Sequence, residues 1–410
     1  MSWERVKFSD LYQIESRNGL TKPSKIRGEG FKMINMGELF SYDRIYDVDM
    51  ELVPLSEREK LSSKVEKGDL LFARQSLVLE GAGKCSIVMD VSPLTVFESH
   101  LIRVRLNKEL ANPLFYYYYF KSPLSPIKSI VSQCAQSGIR GSDLSTLSVD
   151  FPALTTQNRI ANILSTYDNL IENNQKQINL LEEAAQRLYK EWFVDLRFPG
   201  YKNTKIVDGV PEGWRVVTLD DVICKIATGL NPRKNFVLGS GENYYVTIKN
   251  MANNDIHLDE KCDKVDDDAI VRINKRSDLR KGDLLFSGIG TIGRVYLIDI
   301  PTSNWNISES VFTMRANELV SKEFLYLLLL SEDMQLYCDN NAHGAAQRGI
   351  RMADLRAYKF MLPTNDRLIE FTKNAKPLID AAQNRRKQIK HLKEARDRLL
   401  PKLMSGELEV

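Results

Sequence analysis

Between Ile160 and Trp192 the apolar positions are Ile160, Ile163, Tyr167, Leu170, Ile178, Leu181, Ala185, Leu188 and Trp192. Steps of three and four alternate, which is the spacing of a coiled-coil seam, and the rhythm is interrupted at Asn174. A second series reads Phe371, Ala375, Leu378, Ala382, Arg385, Ile389, Leu392, Leu399 and Leu403. The polar member there is Arg385. The two series predict long helices over roughly 156–192 and roughly 367–403. No proline falls between Pro152 and Pro199, and no glycine between Gly141 and Gly200. Pro377 lies inside the second series and predicts a kink or a delayed start. At 1.5 Å per residue each helix would extend about 50–60 Å. In an antiparallel pair the two midpoints meet, so Asn174 and Arg385 are expected to face each other and fix the register.

Outside these stretches the pattern changes to short β-rich runs, Ser86–Met89, Leu101–Leu106, Tyr244–Ile248 and Val295–Ile300, set off by Gly and Pro. These runs belong to a duplication. Gly68-Asp69-Leu70-Leu71-Phe72 returns as Gly282-Asp283-Leu284-Leu285-Phe286, and Gln136-Ser137-Gly138-Ile139-Arg140 as Gln347-Arg348-Gly349-Ile350-Arg351. Lys176-Gln177-Ile178 returns as Lys387-Gln388-Ile389. A colinear series of this kind is a repeat, not chance. The predicted fold class is α+β: two similar domains of mixed β-sheet with helices, separated by two long helices forming an antiparallel coiled coil, with pseudo-twofold symmetry. The expected division is a first domain over 1–152, a helix over 153–197, a connector over 198–213, a second domain over 214–363 and a helix over 364–410.

Composition adds little beyond class. The chain has 410 residues, 57 Lys+Arg and 54 Asp+Glu, with 43% hydrophobic content, which fits a globular protein of two or three domains. A net charge of +3 requires any DNA-binding face to be local. The charge is uneven along the chain: Thr155–Asp195 carries 4 basic and 6 acidic residues, Thr364–Met404 carries 11 and 5. Opposite imbalances favour pairing of the two helices with each other. Five Cys without a C-x-x-C pair argue against a disulfide framework or a zinc ribbon. The absence of a long apolar run and of a signal-peptide layout predicts a cytoplasmic chain with no membrane association.

Recognisable catalytic chemistry is missing. Phe286-Ser287-Gly288-Ile289-Gly290 has the form of an F-x-G-x-G cofactor motif, but [DN]-P-P-[YF] is absent, the nearest segment being Asn231-Pro232-Arg233. A tight β-turn is the better reading. Gly81-Ala82-Gly83-Lys84 lacks the first glycine and the Ser/Thr of a P-loop. There is no E-x-K, and the one D-x-K is Asp259-Glu260-Lys261. His100, His257, His343 and His391 have neither metal-ligand nor triad spacing, so no metal site is expected. The aromatic run Phe115–Phe120 invites base stacking, but its equivalent, Phe324–Leu330, is mostly leucine, which predicts a buried helix.

What remains are polar and basic loops in two parallel sets. The first holds Arg17, Lys22, Lys25, Arg27, Arg74, Gln75, Gln136 and Arg140; the second holds Arg233, Lys234, Asn235, Lys249, Asn250, Gln347, Arg348 and Arg351. Arg, Lys, Asn and Gln are the side chains that hold phosphates and read base edges. These sixteen are the DNA-binding candidates.

Several segments together resemble the specificity subunit of type I restriction–modification systems. They are residues 282–295, Thr156-Gln157-Asn158-Arg159-Ile160-Ala161, Glu191-Trp192-Phe193-Val194-Asp195 with Phe198-Pro199-Gly200, Val210-Pro211-Glu212-Gly213-Trp214, and Leu400–Leu408. One departure is Phe72-Ala73-Arg74-Gln75-Ser76, where the second copy has its Gly-rich turn. The resemblance implies a subunit without catalysis of its own, reading a bipartite double-stranded DNA target with one domain per half-site. It also implies two methyltransferase (modification) subunits as partners and, through them, endonuclease/translocase (restriction) subunits. S-adenosylmethionine, ATP and Mg are then expected in the partner subunits and none in this chain. Without the resemblance, a duplicated domain on long helices is a ruler with two reading heads, about one DNA turn of 34–36 Å apart. A near-neutral chain would grip DNA weakly until a basic partner completes the contact. Two alternatives stand beside this: a coiled-coil scaffold joining proteins only, and a stand-alone DNA methyltransferase.

Overall fold

The computed structural model describes residues 3–76, 81–132, 137–345 and 347–410. It divides into two compact units, Met1–Asn173 with Gln388–Val410, and Asn174–Lys387. This cuts the chain differently from the five-part division expected above. Each long helix contributes one part to each unit instead of standing apart, because each part buries a face against a sheet-containing domain.

In the first unit a five-stranded sheet has the order Tyr12–Asn18, Leu101–Leu106, Leu70–Ala73, Cys85–Val88, Arg44–Ile45. The first four are antiparallel neighbours and the last pair is parallel. A three-stranded sheet, Glu51–Val53, Phe31–Ile34, Val96–Phe97, accompanies it. The second unit repeats the plan. Its four-stranded sheet runs Ile223–Thr228, Val311–Ala316, Leu284–Ser287, Val295–Leu297, and its three-stranded sheet Asp263–Val265, Asn243–Val246, Trp305–Ile307. Leu70–Ala73 and Leu284–Ser287 are buried along their whole length, which is why each is a nearly unbroken apolar run. In each unit an outer pair ties the start of the domain to its end: Arg5–Lys7 with Ser148–Asp150, and Arg215–Thr218 with Lys359–Leu362.

The repeated Gly-Asp-Leu-Leu-Phe segment is the same device twice. Gly68 and Gly282 both take φ +96°, and their N–H groups donate to Val88 O and Ile298 O at 2.8 Å. The following carboxylates, Asp69 and Asp283, are each 1% exposed. Asp69 accepts from Arg105 Nε and Nη2 at 2.7 and 2.8 Å, and Asp283 from Arg315 Nε and Nη2 at 2.7 and 2.8 Å. The hydrogen bonds from these arginines to their carboxylates hold both guanidinium groups above their ordinary pKa.

The first long helix is Leu154–Tyr189, extended by a π-helical turn Lys190–Val194, and the second is Asn365–Met404. The second runs unbroken through Pro377. That residue is exposed, so the carbonyl it leaves unpaired is open to water, while Phe371, Ala375 and Ile379 hold the opposite face in the core. The seam also differs from expectation. In the first part of the first helix the most buried positions are Gln157, Ile160, Ala161, Leu164 and Asp168, whereas Leu170 is 45% exposed. Gln157 shows the cause: its Oε1 accepts from Asn112 N at 2.8 Å and its Nε2 donates to Pro152 O at 2.9 Å, so this face meets the domain. In the second unit the helical segments run antiparallel, with Arg385 beside Gln177 and Phe371 beside Trp192. Arg385 donates to Gln177, not to Asn174 as expected. Gln177 is three residues further on, about 4.5 Å along the axis, and its longer amide reaches the guanidinium.

Charge complementarity between the helices is met inside each unit, by Glu182 with Arg386 in the second and Asp168 with Arg396 in the first. Asp168 accepts from Arg396 Nη1 at 2.5 Å and from Tyr118 Oη at 2.6 Å. Burial alone would lower Arg396, but its hydrogen bond to Asp168 holds it above the ordinary arginine range. Shifting by the repeat, the same three places in the second unit are Ala185, Ile379 and Leu327, which line one small apolar pocket. One copy fills the site with a polar triad and the other with packed hydrocarbon. Removing one partner of such a triad leaves a buried charge unanswered, whereas replacing all three does not. Arg396→Ala should therefore destabilise the chain by on the order of 2–4 kcal/mol. The triple change Tyr118→Leu, Asp168→Ile, Arg396→Ala should recover most of that loss in urea unfolding. A triple variant no more stable than the single one would contradict this account.

Candidate nucleic-acid interface

In each unit the loop after the central strand is pinned by the Gly-Ile-Arg segment that follows later in the repeat. Ile139 N donates to Arg74 O at 2.9 Å, and Gln75–Ser76 pairs with Ser137–Gly138. In the second unit Ile350 N donates to Gly288 O at 2.8 Å, and Gly290 N to Arg348 O at 2.7 Å. This brings Arg74, Gln75 and Arg140 to one edge of the first domain. It brings Gln347, Arg348 and Arg351 beside the Gly-rich turn of the second. Arg140 and Arg351 are exposed and each precedes a short helix, Gly141–Thr146 and Met352–Arg356. Gln136 lies outside the described residues. The Gly-rich segment is a closed loop, with Ser287 N donating to Arg294 O at 2.9 Å and Gly293 N to Ser287 O at 3.0 Å. That is the tight turn expected of it.

A second group surrounds a close backbone approach between the two sheets. A Cβ on Gly19 would sit 2.1 Å from Phe97 O, and one on Gly229 would sit 1.6 Å from Ile307 O, so both places require glycine. The chain then turns outward through Lys22, Lys25 and Arg27 in the first unit and Arg233, Lys234 and Asn235 in the second. Lys22 is bound to Glu59 at 2.8 Å, and Arg27 Nη1 to Glu51 at 2.5 Å. Asn235 Nδ2 closes its own turn on Asn231 O at 2.9 Å. Lys25, Arg233, Lys234 and Lys249 are exposed and make no ion pair among the described residues. Asn250 is 6% exposed, and its Oδ1 accepts from Thr247 N at 2.9 Å. Its side chain is therefore engaged as a cap. In the equivalent turn of the first unit Glu38 takes this place, its carboxylate accepting from Asn35 N at 2.7 Å.

The six rings of Phe115–Phe120 are all buried, inside the helix Pro113–Lys121, and none is presented for stacking on bases. Sequence reading missed Arg103 and Arg105. Both lie on Leu101–Leu106 and line a cleft together with Arg17, Lys60 and Lys64. The signal available was the alternation Leu-Ile-Arg-Val-Arg-Leu, which puts two arginines on one face of a core strand.

The type I restriction modification DNA specificity domain model matches residues 1–183 and 211–389. The chain belongs to that family. Its role is that of a DNA sequence-recognition subunit of a type I restriction–modification system. The chain is 25% identical over 421 aligned residues to the type I restriction enzyme MjaIX specificity subunit of Methanocaldococcus jannaschii, covering 100% of this chain and 94% of that one. It is 22% identical over 411 aligned residues to the HindI specificity subunit of Haemophilus influenzae, covering 84% and 87%. Its fold is similar to the crystal structure of the type I restriction–modification S subunit from M. genitalium, with TM-score 0.58 at 16% identity over 98% of this chain and 96% of that chain. Among the described residues no helix is long and apolar enough to cross a membrane.

The geometry separates framework residues from free ones, and the two kinds should respond differently to substitution. Asn250→Ala should cost about 1–2 kcal/mol of stability by uncapping its turn. Lys25→Ala and Lys234→Ala should leave the melting temperature unchanged and weaken DNA binding. Melting curves beside binding titrations would expose the reverse pattern if these assignments were exchanged.

Proposed function

We propose that each unit reads one half of a bipartite DNA target, and that the chain is the non-catalytic member of its complex. Two methyltransferase subunits would bind it and carry the endonuclease subunits, with S-adenosylmethionine, ATP and Mg held by those partners, in the cytoplasm. The observation that carries this reading is a single framework built twice with different polar loops on it. The Arg–Asp clamp, the two glycines at φ +96° and the sheet pairings repeat, while Arg74-Gln75 stands where the second unit has Gly288-Ile289. Equal frames with unequal surfaces suit two readers of different sequence.

Replacing Ser9–Phe151 by the matching segment of another specificity subunit should change one half of the methylated sequence and leave the other intact. Methylome sequencing of cells carrying the chimera checks this, and a change in both halves would refute independent reading. The purified chain alone should transfer no labelled methyl group to DNA. Incorporation by the chain without partners would overturn its assignment as a non-catalytic member.

A further inference from the structure

The cleft in the first unit holds a buried guanidinium that makes no ion pair among the described residues. Arg103 is 4% exposed, yet it makes no ion pair among the described residues. Its Nη1 donates to Lys64 O at 2.9 Å and its guanidinium lies over the Phe97 ring at 5.7 Å, while its Nε is buried without a hydrogen-bond partner. Arg17, exposed on the outer strand, is its cross-strand neighbour, and Lys64 stands beside it. Neither of these has a carboxylate partner among the described residues. The neighbouring Arg105 is already satisfied by Asp69 and Glu66, and Lys60 by Glu57. Glu15 is the one remaining carboxylate of the lining, so three unanswered cations face one anion. A buried guanidinium without a paired counter-charge is held there at an energetic cost. Burial pushes Arg103 below its ordinary pKa; Arg105 and Arg17 add to that, while the charges of Asp69 and Glu66 offset part of it.

The second unit supplies the comparison. Arg105–Asp69 is kept there as Arg315–Asp283, and Thr313 pairs with Ala227 where Arg103 pairs with Arg17. The backbone carbonyl that holds the arginine belongs to Lys64 in one copy and to Asp278 in the other. The architectural pair is thus common to both copies. The cations Arg17, Lys64 and Arg103 belong to the first alone; their counterparts are the neutral Ala227 and Thr313 and the acidic Asp278.

We infer that Arg17, Lys64 and Arg103 form an anion site in the first unit that takes a phosphate of the DNA backbone. This rests on the DNA-reading role proposed above. Arg103 is held in place by Phe97 and the Lys64 carbonyl before DNA arrives, so little side-chain freedom is lost on binding. Arg17 and Lys64 close on the same phosphate from the cleft rim.

The test measures target binding by the complete complex with its modification subunits across a series of salt concentrations. Arg17→Gln and Lys64→Gln change side chains outside the core, and Arg103→Met removes the buried charge while filling its space. Each variant should weaken binding about three- to tenfold at 0.1 M salt, equally for target and non-target DNA, and lower the salt slope by about one. Unchanged slope and affinity in the two rim variants, with wild type binding its target, would overturn the site. Relaxed preference at a single base position would overturn it as well, since that is the mark of base reading. Absence of any target binding by the wild-type complex would instead remove the DNA-reading role, and this inference with it.

Discussion

A carboxylate placed at the buried start of a central strand must be answered, and in this molecule that constraint is met twice by the same arginine fork. Asp69 and Asp283 are almost wholly enclosed, and each takes two parallel N–H···O bonds from the neighbouring strand. The bidentate geometry fixes which residue of one strand stands beside which residue of the next. Gly68 and Gly282 must then turn at positive φ for the chain to enter the strand at that point. From this corner the buried Leu-Leu-Phe strand extends to the loop that the Gly-Ile-Arg segment pins. The polar edge is therefore set by the same register that satisfies the buried charge.

Where the two copies differ, the differences fall at places the frame does not need. Tyr118, Asp168 and Arg396 give way to Leu327, Ile379 and Ala185, a polar solution and an apolar solution to the same packing problem. Either is self-consistent, and only a mixture of the two would be costly. Arg103 and Arg17 give way to Thr313 and Ala227. That exchange has a different character, because the first copy gains a buried cation with no ion pair among the described residues. Internal duplication thus separates residues that hold the fold from residues that meet something outside it.

Much of the fold was legible because it is periodic or repeated. The long helices, the duplicated segments and the strand Leu101–Leu106 follow from spacing alone. Helix partners were less legible. Three- and four-residue steps mark an apolar face but not what covers it, so Leu170 fits the seam spacing yet lies half exposed, while Gln157 and Asp168 are buried against a domain. Pro377 does not break its helix, since a proline on a solvated helix face leaves a carbonyl that water can satisfy. The candidate site was legible as a set of loops and not as a set of roles. Asn250, Lys22 and Arg27 are spent on capping and ion pairs within the unit, which composition cannot distinguish from free side chains. The alternation that puts Arg103 and Arg105 on one strand face marks a polar face but not which of the two a carboxylate within the unit satisfies.

The account makes the chain two unlike readers on one repeated frame. Its most direct test is the methylation target of the complex containing this chain, determined by methylome sequencing. The account predicts two short specified runs of different sequence separated by unspecified bases. A single contiguous target, or two identical half-sites related by symmetry, would contradict it.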